Sequence, residues 1–142
     1  MAGNKFREIA ITIAQSCADK KALSVRVYDL QKKSPLSDYV VLANVESVAQ
    51  LEAVEEEIRI RLKKMGRFCI NRDGALSKTW RVLDYGGVIV HILDKETETN
   101  YSLGEIFSAY KLLNWEIMPS KKTNKKKISK RSKRGAGKSK KR

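Results

Sequence analysis

The sequence predicts an α/β fold: a mixed β-sheet flanked by helices, followed by a disordered basic C-terminal tail. Three observations predict it. Apolar residues recur at helical spacing in Lys5–Lys20, after Ser47 and after Ser102. Short β-branched runs lie between them, at Leu23–Leu30, Tyr39–Val45, Trp80–Asp84 and Val88–Leu93. The charge divides sharply along the chain. Residues 1–119 hold 17 Lys/Arg against 16 Asp/Glu, whereas residues 120–142 hold 13 Lys/Arg and no acid. A folded domain over 1–119 therefore sits near neutrality, and the tail over 120–142 carries almost all of the net +14. With one large apolar residue, Ile128, that tail cannot bury enough surface to order itself.

The first helix is read from Phe6, Ile9, Ala10, Ile13, Ala14 and Cys17. In Leu23–Leu30, Val25 and Val27 alternate with Arg26 and Tyr28, the pattern of a half-buried strand. Ser34-Pro35 marks a turn. Tyr39–Val45 is nearly all apolar, as in a strand covered on both faces. Ser47 opens the second helix, with Gln50 completing a capping box. Leu51, Val54, Ile58, Leu62 and Met65 form its buried stripe, and Gly66 ends it. Glu55, Glu56 and Glu57 read as its solvated face, with Arg59 and Arg61 within pairing reach.

Phe68–Ile70 is expected to be a short edge strand, and Asn71–Lys78 a polar loop with an Asp73-Gly74 turn. Trp80–Asp84 and Val88–Leu93 then form a hairpin across Gly86-Gly87, both glycines serving positive φ. Ser102 with Glu105 repeats the capping-box pattern, so Leu103, Ile106, Phe107 and Tyr110 are expected on a third, shorter helix. The short link between the first two strands favours antiparallel pairing. The helical crossover from Tyr39–Val45 to the later strands favours a parallel pair.

Several function classes are disfavoured. Cys17 and Cys69 stand apart from each other and from His91, the only histidine, so closed metal ligation is not expected. No apolar run approaches the roughly 18–20 residues that cross a bilayer, and no signal pattern opens the chain, so a soluble cytoplasmic protein is expected. Gly135-Ala136-Gly137-Lys138-Ser139 ends like a phosphate-binding loop. However, Ser132 stands where that loop begins with glycine, and no strand precedes it.

Trp80 reads as core or as a binding hot spot at the mouth of the polar loop. His91 lies inside an apolar strand and reads as structural, since catalysis requires a partner. Asp38 and Asp84 are the carboxylates set among apolar strand neighbours. Were they to meet, they could bind a divalent metal for nucleotidyl transfer. In the tail, Lys125, Lys126, Lys127, Lys130, Arg131, Lys133 and Arg134 suit phosphate contacts with ribosomal or other RNA. No aromatic is interleaved among them, so base stacking is not indicated.

Taken together, certain residues resemble the ribosomal silencing factor, or Iojap-like, family. They are Ser37-Asp38-Tyr39-Val40-Val41, Ser47 with Gln50, Asp73-Gly74, Trp80 through Gly86, Val88-Ile89-Val90-His91, and Tyr101 with Leu103. The likeness spans about residues 5–113. It implies a fold similar to nucleotidyltransferases without their catalytic carboxylate set, hence no enzyme and no cofactor. It also implies a partner, the large ribosomal subunit, gripped through large-subunit ribosomal protein fourteen so that the small subunit is obstructed and translation is repressed. Partner-contacting aromatics of the family match Trp80 and Tyr101, and neighbouring family positions match Asp73, Asp84 and Gly86. The chain departs from the family pattern at Val45, Gly87 and Phe107. Self-association into a homodimer is left open, as are two other readings: a metal-dependent nucleotidyltransferase and a general RNA-binding protein acting through its tail.

Overall fold

A six-stranded sheet in the order β3-β4-β5-β2-β1-β6 organises the chain in a computed structural model that describes residues 2–117. The elements run α1 (Ala2–Asp19), β1 (Ser24–Asp29), β2 (Tyr39–Val45), α2 (Val48–Lys64), β3 (Asn71–Asp73), β4 (Trp80–Asp84) and β5 (Val88–Asp94). They continue through α3 (Lys95–Tyr101), α4 (Leu103–Phe107), β6 (Lys111–Leu113) and a 3₁₀ turn (Trp115–Ile117). The tail, with its expected disorder and its phosphate-contact lysines and arginines, lies outside the described residues.

The pairing follows the predicted logic. β1 and β2 are antiparallel, β2 and β5 parallel, and β4 and β5 antiparallel. Every residue of β2 is buried. α1 and α2 pack on one face of the sheet around Ile9, Ile13, Val41, Val54, Ile58, Leu62, Val90 and Ile92. α3 and α4 lie on the other face, over Tyr28, Val40, Leu42 and Leu93. The sheet is thus covered fully on one side and partly on the other.

The caps of α2 form as expected. Ser47 Oγ accepts from Gln50 N at 3.1 Å. The reciprocal bond shifts by one residue: Gln50 Oε1 accepts from Glu46 N, while its Nε2 donates to the carbonyls of Lys20 and Lys21 at the end of α1. Gln50 therefore ties two helices together as well as capping one. At the far end Gly66 takes φ +76°, with Gly66 N bonded to Lys63 O and Arg67 N to Leu62 O. That is the paired closure of a left-handed helix stop.

Four expectations need correction. Phe68–Ile70 is not a strand: the edge strand is β3, three residues on. Ladder pairing to β4 selected Asn71–Asp73, although the more β-prone Phe68 and Ile70 stand 64% exposed. Ser102 does not cap by its side chain. It adopts φ 54°, ψ 37° between two helices, and α3, unpredicted, precedes it. β6 was also unpredicted and pairs antiparallel with β1. Of the two hairpin glycines only Gly86 has positive φ; Gly87 is instead pressed by Phe6, whose ring lies 2.4 Å from where a Cβ would sit.

Candidate partner-binding face

β4 presents its residues alternately to the two faces of the sheet, as the pleat requires. Arg81 and Leu83 are buried, whereas Trp80, Val82 and Asp84 are only half-buried and point to the α3/α4 face. Asp73 on β3 pairs with Val82 and so lies beside them on that face.

The face owes its shape to Asp94. Its amide donates to Thr79 O at 3.1 Å, extending the β4–β5 ladder, and its carboxylate accepts from Thr97 N at 2.8 Å to cap α3. α3 therefore folds back at once over the sheet. Tyr101, at its end, packs on Trp80 with ring centroids 5.0 Å apart. The left-handed Ser102 reverses the chain into α4, which sets Phe107 against His91 (5.9 Å) and Tyr28 (5.6 Å). Five aromatic side chains and one imidazole form a continuous band, with Tyr101 60% exposed at its rim.

Trp80 is half-buried at the margin of the smaller core cluster. Its inner edge packs in the core beneath α3 and α4, and its indole N–H donates to His91 Nδ1 at 3.2 Å. Desolvation pushes the His91 imidazole down to about 4, so it is neutral at neutral pH. Its one ring proton then sits on Nε2, because Nδ1 accepts from the indole. His91 holds Trp80 in place, the structural role the sequence suggested.

The five residues matched to the family sort into two pairs and one flanking acid. Trp80 meets Tyr101. Asp84 meets Gly86, whose amide donates to Asp84 Oδ1 at 2.8 Å in a tight side-chain-closed turn. The pairs stand about 13 Å apart along β4, four residues at strand rise. Asp73 lies on the neighbouring strand between them. Asp38 precedes β2 and Asp84 ends β4, strands with β5 between them, and the Asp38 carboxylate pairs with Lys32 at 3.4 Å. Among the described residues no group of three or more His, Cys, Asp or Glu could hold a metal ion, and no helix is long and apolar enough to cross a membrane.

Two buried acids escaped the sequence reading. Glu98 is 6% exposed and fastens α3 to the sheet, bonding Arg26 Nη2 at 2.7 Å and Asn44 Nδ2 at 2.9 Å. Gly104 leaves room for it, since a Cβ there would lie 2.7 Å from Glu98 Oε2. Glu55 is 3% exposed, not on a solvated face. It bonds Arg81 Nη1 at 3.0 Å and Arg72 Nε, with Arg59 at 3.8 Å. Arg81 in turn donates to Ser77 O, and Ser77 Oγ accepts from Trp80 N. A chain of polar contacts thus runs from α2 to the start of β4. The signal for Glu55 was its place in the register Leu51, Val54, Ile58, four residues before Arg59, together with an arginine set between Trp80 and Val82 on β4. Glu57 does lie where the sequence put it, paired with Arg61 at 2.6 Å.

Comparison with known proteins accords with this architecture. Residues 4–141 match the family described as ribosomal silencing factor during starvation, a span that runs past the residues carrying the sequence resemblance. The chain is similar to the ribosomal silencing factor RsfS of Zymomonas mobilis, 29% identical over 91 residues, 64% of this chain and 68% of that protein. It is likewise similar to that of Bacillus subtilis, 27% identical over 94 residues, 66% and 80% of the two. The chloroplastic Iojap protein of Zea mays is 24% identical over 98 residues, 69% of this chain and 42% of that one. A solved protein of Chromobacterium violaceum shares the fold, with TM-score 0.68 and 22% identity over 72% of this chain and 85% of that one. So does one of Bacillus halodurans, with TM-score 0.61 and 22% identity over 72% and 93%. The chain belongs to the ribosomal silencing factor family.

Proposed function

We propose that the α3/α4 face binds the large ribosomal subunit through large-subunit ribosomal protein fourteen, and that the bound domain obstructs the small subunit and represses translation. The observation that carries this reading is the Trp80–Tyr101 pair, at 5.0 Å, at the half-covered rim of the sheet. Rigid aromatics at the edge of a half-buried face are the usual anchors of protein contacts. Asp73 and Asp84 flank them and suit a basic partner surface. The mechanism is steric and requires no chemistry: a domain of this length, roughly 30 Å across, fills space at a subunit surface. The protein then works in the cytoplasm, as a regulator rather than an enzyme. The tail adds a sequence-blind attraction to ribosomal RNA phosphates.

Co-sedimentation with purified large subunits tests the reading. Trp80→Ala should weaken binding by about 2 kcal/mol, the scale of an aromatic anchor. Removal of residues 120–142 should flatten the salt dependence and spare binding at low salt. Unchanged binding by Trp80→Ala, or free subunit joining in the presence of saturating protein, refutes the proposal.

A further inference from the structure

We propose that the groove at the C-terminal end of α2 binds single-stranded RNA, with an unpaired base stacked on Phe68 and the flanking phosphates held by Arg59, Lys63 and Arg67. The groove spans about 420 Å³ beside the last turns of the helix. Arg59 and Lys63 stand one helical turn apart, about 6 Å along the axis, and Arg67 follows the Gly66 stop. Against these three cations Glu56 is the one acid that lines the groove. In a folded domain near neutrality, that is a local concentration of positive charge.

The charges are free and the ring is bare. Among the described residues no side chain pairs with Lys63, Lys64 or Arg67. Arg59 lies 3.8 Å from Glu55, a carboxylate that Arg72 and Arg81 already bond, so its charge is surplus there. Phe68 is 64% exposed, and its ring meets no other aromatic ring among the described residues. Ile60 and Tyr85 add apolar wall beside it. Lysines in the last turn of a helix complement its dipole. That accounts neither for Arg67 beyond the stop nor for an uncovered phenyl ring. A flat ring among unpaired cations is the means by which proteins hold single strands: the bases stack, the cations take the phosphates, and no base sequence is read. The tail offers cations without an aromatic, whereas the groove offers both. Membership of a ribosomal factor family makes RNA the strand within reach. α2 packs on the sheet face opposite Trp80 and Tyr101. The site therefore goes beyond the proposed protein contact and stands or falls separately from it.

Fluorescence anisotropy of the full chain with a labelled oligouridylate of about ten nucleotides is the test. It is read at about 0.3 M salt, where screening weakens attraction by charge alone. Phe68→Ala should raise the dissociation constant about tenfold and Phe68→Trp should restore it, neither moving the thermal midpoint, because the side chain is mostly exposed. Lys63→Gln and Arg67→Gln should each lower the slope of log affinity against log salt by about 0.7. A thiouridine placed in the strand should cross-link to the peptide that carries Phe68. Cross-links confined to residues 120–142 overturn the proposal, as does an affinity indifferent to Phe68→Ala. So does a Phe68→Ala chain that loses large-subunit binding yet holds the oligouridylate as before, a result that gives the groove to a ribosomal protein instead.

Discussion

The two faces of the sheet are built to different ends. On one, α1 of 18 residues and α2 of 17 seat Ile13, Leu51, Val54, Ile58 and Leu62 at 0% exposure. On the other, α3 of 7 residues and α4 of 5 cover the strands only in part, and Tyr101 and Ile106 stay more than half exposed. Helices that short do not hold themselves in water. They persist because Asp94 caps α3 and Glu98 bonds Arg26 and Asn44 beneath it. The lesson is one of separation. Apolar burial is concentrated on the α1/α2 face, which lets the aromatic face stay only half-covered.

That contrast can be broken by experiment. The largest effect is expected from Ile58→Ala, which opens a cavity between α2 and the sheet and should lower unfolding free energy by about 3–4 kcal/mol in a urea titration. A cost below about 1 kcal/mol would mean that the α1/α2 face is not the seat of stability.

Next comes acid. The unfolded His91 imidazole takes a proton below its ordinary 6.5, whereas the folded one waits until about 4. Stability is therefore full above pH 6.5 and falls as the pH drops towards 4, by up to about 3 kcal/mol, because burial desolvates and so disfavours the charged imidazolium. Two buried carboxylates titrate in a lower window. Burial alone would raise Glu55, but the hydrogen bonds from Arg72 and Arg81 outweigh it and hold that carboxyl below its ordinary 4.5. Burial likewise opposes, and Arg26 and Asn44 outweigh it, at Glu98. Their stabilisation is lost only below pH 4.5, so the slope between 6.5 and 4.5 reports His91. It should vanish in His91→Leu; a persistent slope would assign it elsewhere.

The smallest change in stability is expected at the rim. Tyr101→Ala should cost less than about 1 kcal/mol in unfolding, since the side chain is mostly exposed, yet weaken large-subunit binding by about 1–2 kcal/mol. Equal losses in both measurements would erase the distinction between the faces.

Much of this was readable beforehand, and the parts that were not share a cause. The limits of β2 and β4, the Ser47 and Gly66 stops of α2, and the parallel β2–β5 pairing rest on signals a few residues long, or on chain connectivity. Trp80 could be singled out, but not its contact with Tyr101, because α3 itself went unseen. Its sequence Lys-Glu-Thr-Glu-Thr-Asn-Tyr has no apolar stripe, and Glu98 is its buried residue. Glu55 was misplaced for the same reason. A carboxylate reads as solvated until Arg72 and Arg81 arrive from strands 17 and 26 positions away.

Alone, the amino-acid order determined the periodic core, the helix stops, the mixed sheet and the concentration of net positive charge in residues 120–142, because each follows from neighbours along the chain. Tertiary structure decided which charges are buried, where the edge strands β3 and β6 lie, and how Tyr101 reaches Trp80. Those outcomes depend on partners distant in sequence, whose desolvation and pairing exist only once the sheet has formed.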